Sequence, residues 1–99
     1  MKALVITAQP FSVEPAEIAG LEDIQALIGY PTLESDEIDA NGDRLYFDEE
    51  CFLRGTQGRF RVDNLAPVAG VAVVVGSQDD ALADVATPLA ELAARVTCL

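Results

Sequence analysis

The segment ESDEIDANGDRLYFDEE, residues 34–50, packs eight carboxylates and one basic residue, Arg44, into seventeen positions. Carboxylates at that density can do three kinds of chemistry. They can hold a hard cation through oxygen donors, act in pairs as general acid and base, or present a row of negative charge in place of phosphates. With Asn41-Gly42 at the fifth and sixth positions of a twelve-residue calcium loop, Glu37, Asp39, Asn41, Asp43, Leu45 and Asp48 fall at the first, third, fifth, seventh, ninth and twelfth. The detail is wrong for calcium. Glu replaces the usual Asp at the start, and Asp48 is one carbon shorter than the usual bidentate Glu. Arg44 takes the place of the apolar anchor, and the flanks do not read as helices. No metal is expected. Acid–base work needs two carboxylates converging in a cleft with separated pKa values. A charged hairpin on a small domain leaves them solvated instead, which is also the plainest account of the whole stretch.

The remaining catalytic equipment is sparse. There is no histidine, so no Ser-His or Cys-His pair and no His ligand. Lys2 is the single lysine, and neither glycine-rich phosphate motif occurs. Cys51 and Cys98 form no C-x-x-C pair; both are expected as free thiols, Cys51 in the core. No catalytic residue and no cofactor are expected. One alternative remains. The turn Gly55-Thr56-Gln57-Gly58-Arg59, with Arg61 beyond it, could cradle an anion or nucleotide on its backbone amides, making the chain a small-molecule-binding domain.

The elements that must position these residues follow from periodicity. Ninety-nine residues make one domain, and 51% apolar content argues for a packed core. KALVIT (2–7) and GVAVVVGS (70–77) read as buried strands, the second central. FSVEPAEI (11–18) reads as an edge strand paired to the first, because Pro15 interrupts it. LEDIQALIG (21–29) reads as a helix with Leu21, Ile24, Leu27 and Ile28 on one face and Gly29 as its left-handed cap. TLESDEID (32–39) is extended. RLYFD (44–48) alternates, with Leu45 and Phe47 inward and Tyr46 outward, and Asn41-Gly42 suits a hairpin turn between the two. RFRVD (59–63) turns Phe60 and Val62 inward. The C-terminal stretch, most of 79–97, reads as helical. Its apolar residues Leu82, Val85, Leu89, Leu92, Val96 and Leu99 repeat at three and four, and Thr87-Pro88 either kinks one helix or starts a second, shorter one. A monomer is favoured, with a dimer through the 82–99 stripe as the alternative. The expected fold class is α+β: a small, mostly antiparallel sheet, a short early helix, and a C-terminal helix packed on one face.

Charge is unevenly distributed. Residues 14–50 hold twelve acids and one base, a net of −11; the remainder holds five of each, so the whole net charge of −11 comes from one part of the chain. That asymmetry points to a basic partner and argues against direct binding to nucleic acid or an anionic membrane. Residues two apart on one strand face lie roughly 6–7 Å from each other. Glu34 with Asp36, and Glu37 with Asp39, would form rows at that spacing, against duplex DNA with about one charge per 1.7 Å of axis. No apolar run reaches the roughly 18 residues of a membrane span, and MKALVITAQP is too short and strand-like for a signal peptide, so a cytoplasmic location is expected.

The opening MKALVI, the IQALIG helix, the NGDRLYFDEE hairpin, RFRVDNL and PVAGVAVVVG together resemble the domain-of-unknown-function family three-eight-four-six. These are small proteins of phages, plasmids and other mobile elements. The resemblance covers most of residues 1–76 and is most specific at Ala69–Gly76; Tyr30 and the C-terminal stretch depart from it. It carries no catalytic residues. It implies a setting in which small accessory proteins act against host defence. The resulting expectation is a non-enzymatic, acidic interaction protein that inhibits a basic, nucleic-acid-handling host protein or CRISPR effector by imitating nucleic acid. Glu34, Asp36, Glu37, Asp39, Asp43, Tyr46, Asp48, Glu49 and Glu50 would form the contact surface, with the aspartates 36, 39 and 43 all solvent-exposed.

Overall fold

The most apolar run, VAVVVGSQ, forms strand β7 (Val71–Gln78) at the centre of a six-stranded sheet. Residues 72–76 are buried on both faces, as a strand without polar alternation must be. The computed structural model describes residues 1–99. β1 (Lys2–Thr7) lies antiparallel on one side of β7 and carries β2 (Ser12–Glu17) outside it. On the other side lies β4 (Arg44–Asp48), with β3 (Leu33–Glu37) outermost. β8 (Ala81–Ala83) folds back on the end of β7. A second sheet of three short strands has β5 (Arg59–Val62) between β6 (Val68–Ala69) and β9 (Val96–Cys98).

Alternation along the strands makes two cores. Leu4, Ile6, Leu45, Ala72 and Val74 face one way and meet Phe60, Val62, Val68 and Leu92 from the second sheet and helix α2 (Leu89–Arg95). Ala3, Val73 and Val75 face the other way and meet Ile24 and Ile28 of helix α1 (Leu21–Ile28). The architecture is α+β, antiparallel throughout, with an early helix and a C-terminal helix. Gly29 closes α1 in the left-handed region (φ 91°), its N–H donating to the Gln25 carbonyl.

Two expectations about helices need correction. In α1 only Ile24 and Ile28 are buried; Leu21 and Leu27 stay 49% and 40% exposed. A helix of eight residues shows the sheet little more than one stripe two positions wide. The larger error lies in 79–97. Asp79 and Asp80 adopt positive φ (52° and 65°) and turn the chain back as β8. The N–H of Val85 then donates to the Lys2 carbonyl, and those of Ala86 and Thr87 donate to the Asp43 carboxyl. Backbone donors a helix would use internally are thus taken by distant partners, and Pro88 has none to offer. Only the second, shorter helix forms, directly after Pro88, and Val96–Cys98 leaves it to pair with β5. The apolar stripe is therefore divided. Leu92 is fully buried, Val85 and Val96 join one core, Leu82 joins the other, and Leu89 and Leu99 are exposed. The 82–99 stripe is thus not one continuous helical seam.

Candidate functional site

The acidic segment does form a hairpin. β3 and β4 pair in register from Leu33↔Asp48 to Glu37↔Arg44, and Ile38 N–H donates to the Asp43 carbonyl beyond the last rung. The turn is wider than a two-residue one, spanning 39–42. Gly42 has φ 99°, and a Cβ there would strike the Ser77 carbonyl, so the turn needs glycine twice over. The Gly42 carbonyl in turn accepts from Ser77 Oγ at 2.7 Å.

Three of the eight carboxylates, Asp39, Asp43 and Asp48, turn inward onto donors, and a fourth, Glu50, is met at the surface by Arg54. Asp43 is wholly buried and accepts from the N–H groups of Ala86 and Thr87, each at 2.9 Å, and from Thr87 Oγ1 at 2.6 Å. It is a side-chain cap on a distant loop, holding the approach to α2 against the hairpin. Beside it, Asp39 accepts from Arg95 Nη1 and Nη2 at 2.8 and 3.1 Å, and Arg95 also binds Asp63 and the Ile38 carbonyl. The Arg95 hydrogen bonds hold the Asp39 carboxyl below its usual range against a smaller desolvation effect, while Asp63 and Asp39 raise Arg95 further above an already high value.

A second centre lies at the other end of β4. Asp48 is 2% exposed. Burial alone would raise its pKa; bonds from Arg54 Nε (2.9 Å), Thr32 Oγ1 and the Glu50 N–H (3.1 Å) outweigh that and hold it low. Arg54 also reaches Glu50 at 3.4 Å and stacks 4.1 Å from the Tyr30 ring centroid. Its own pKa is raised, chiefly by the bond to Asp48.

These contacts correct the expected surface. Asp43 and Asp48 are inside the protein and cannot touch a partner. Asp39 is a partly buried ion-pair member, so the expected row of Glu37 with Asp39 does not form. Tyr46 is half-buried among the residues packed with α1, because its face of β4 is covered rather than open. Glu50 is exposed but engaged by Arg54. That leaves Glu34, Asp36, Glu37 and Glu49, which take part in no ion pair and whose side chains accept no protein hydrogen bond; of these Asp36 is half-buried rather than solvent-exposed as expected. Glu34 and Asp36 share one face of β3, opposite Phe47 and Leu45; Glu37 points to the other. Thr87, Arg95, Thr32 and Arg54 were missed as partners. The only signal for them was an excess of carboxylates over any local counter-charge, which does not say where the donors come from.

The calcium pattern is dismantled by the same geometry, since Asp39, Asp43 and Asp48 spend their oxygens on protein donors. At the 55–61 turn, Thr7, Gln9, Thr56, Gln57, Gly70 and Val71 line a hollow of about 360 Å³ without a charged side chain. Arg59 stacks instead on Phe52, 5.1 Å from its centroid. Cys51 is buried and Cys98 exposed, both as free thiols. No helix is long and apolar enough to cross a membrane.

No family model, curated protein or solved structure matches this chain. The resemblance to mobile-element proteins therefore rests on the quoted motifs alone.

Proposed function

We propose that this chain is a non-enzymatic interaction protein whose acidic outer strand occupies the basic groove of a nucleic-acid-handling protein. One observation carries the reading. Within the acidic hairpin, the carboxylates with no internal partner lie on and beside β3, while those nearer the core are held by Arg54, Arg95 and the Ala86–Thr87 donors. A field that the protein does not compensate itself steers a basic partner and strengthens specificity and on-rate. The resemblance to mobile-element proteins makes a host defence complex of the CRISPR kind the partner class to test first, in the cytoplasm.

The test is competition. The wild-type protein is added to CRISPR effector complexes carrying labelled duplex DNA, at low and physiological salt. Displacement is expected, weakening as salt shortens the field to about 8 Å. A variant with Glu34, Asp36 and Glu37 changed to Lys moves the net charge from −11 to −5 and loses displacement. A second variant with the exposed Glu14, Glu22 and Glu91 changed to Lys has the same net charge and retains it. Equal loss in both variants would reduce the effect to bulk charge, and no displacement by wild type would remove the proposal.

A further inference from the structure

The acidic strand is also an open sheet edge, and its backbone phase can be read. The N–H of Glu49 donates to the Thr32 carbonyl at 2.8 Å, and that of Ile38 to the Asp43 carbonyl at 3.1 Å. In an antiparallel pair, opposed residues alternate between exchanging both bonds and exchanging none. With Glu34 opposite Phe47 and Asp36 opposite Leu45, the bonded positions are 32, 34, 36 and 38. Leu33, Ser35 and Glu37 therefore turn their peptide groups away from β4. The Leu33 N–H is satisfied locally by Pro31, and Arg44 Nη2 donates to the Ser35 carbonyl at 3.2 Å, leaving that oxygen a second lone pair. The N–H groups of Ser35 and Glu37 and the carbonyls of Leu33 and Glu37 have no strand beyond them, since β3 ends the sheet.

The opposite edge is built differently. β2 contains Pro15, which removes a donor, and α2 packs against it. The edges of the small sheet are two and three residues long. β3 is thus the longest proline-free edge, and its charges decide what can pair with it. A second copy of β3 would set acid against acid, which charged edges discourage. A strand bearing cations meets Glu34 and Asp36 on one face and Glu37 on the other.

We infer that β3 receives an extended, arginine-rich segment of a partner protein as an added strand, with main-chain bonds to Ser35 and Glu37 and cations opposite Glu34, Asp36 and Glu37. This rests on the acidic-partner reading and specifies its mode. The spacing asks for cations at three of four successive residues: two on one face, two positions apart, and one neighbouring them on the other face.

The probe is a capped peptide for antiparallel addition, Thr-Val-Arg-Arg-Val-Arg-Val-Thr, and a copy N-methylated at alternate residues along its pairing edge. Both carry the same charge. Fluorescence anisotropy with the full chain at low salt should show the methylated copy binding at least tenfold more weakly. Glu37→Gln and Glu37→Pro remove the same charge, but only the second removes the outward N–H; Glu37→Pro should bind a further fivefold or more weakly, with circular dichroism checking its fold. Equal binding of the two peptides would overturn strand addition while leaving an acidic contact surface in place. Failure of the unmethylated peptide to bind would overturn it as well. The peptide comparison needs no variant, so a Glu37→Pro chain that fails to fold does not decide the matter.

Discussion

The two halves of the acidic hairpin use one residue type for opposite purposes. Near the turn and at the end of β4, Asp39, Asp43 and Asp48 are met by donors from Thr87, Arg95, Thr32 and Arg54. Along β3, Glu34, Asp36 and Glu37 form no ion pair; Arg44, opposite Glu37, spends its guanidinium on Ser35 instead. The inner group joins hairpin, α2 and the 3-10 turn at Cys51–Leu53, and its loss strands polar groups inside the protein. The outer group repels itself and is held together only by the pairing of its backbone. Carboxylate density alone does not distinguish a latch from a contact surface. What distinguishes them is whether a donor from elsewhere in the fold arrives within hydrogen-bond distance.

The sharpest way to break that contrast is Asp43→Ala. It orphans the N–H groups of Ala86 and Thr87 in a buried place, and should destabilise the fold by about 3–5 kcal/mol in urea unfolding. Leu92→Ala sets the scale for an ordinary core loss at about 2–4 kcal/mol, with no change in oligomeric state by light scattering. If Asp43→Ala costs less than Leu92→Ala, the latch is weaker than its geometry requires.

Acid provides the next test. The depressed carboxyls of Asp39 and Asp48 bind protons more readily unfolded than folded. Their contribution is present in full above the unfolded value of about 3.9 and is lost as pH falls through the lower folded values. Stability should therefore drop steeply below about pH 4, and pairing Asp39→Asn with Asp48→Asn should flatten that limb. An unchanged slope would mean the two carboxyls are not the titrating latch.

The smallest stability effect is expected from Glu34, Asp36 and Glu37 together changed to Lys. Substitutions outside the core usually shift stability by within about 0.5 kcal/mol each, and relief of like-charge repulsion works the other way. A loss beyond about 2 kcal/mol would show the outer group to be structural too.

Local periodicity determined a good deal by itself. Alternation made strands of 44–48 and 59–62, apolar runs made buried strands of 2–7 and of 71–78 at the sheet centre, and Gly29 ended α1, because each signal is contained within a few residues of backbone. The same reasoning failed at 79–88. Alanine and leucine there favour a helix, but the backbone donors go to Lys2 and to Asp43, which lie more than forty residues away. The acidic hairpin was legible as a hairpin and not as two functional halves. Its pairing depends on neighbouring residues, whereas the fate of Asp39 and Asp43 depends on Thr87 and Arg95, brought to them only when the sheet and α2 close over the core, and that of Asp48 on the 3-10 turn that folds Arg54 back onto it. Burial and long-range hydrogen bonding are properties of the assembled chain, and they alone decided which charges face outward.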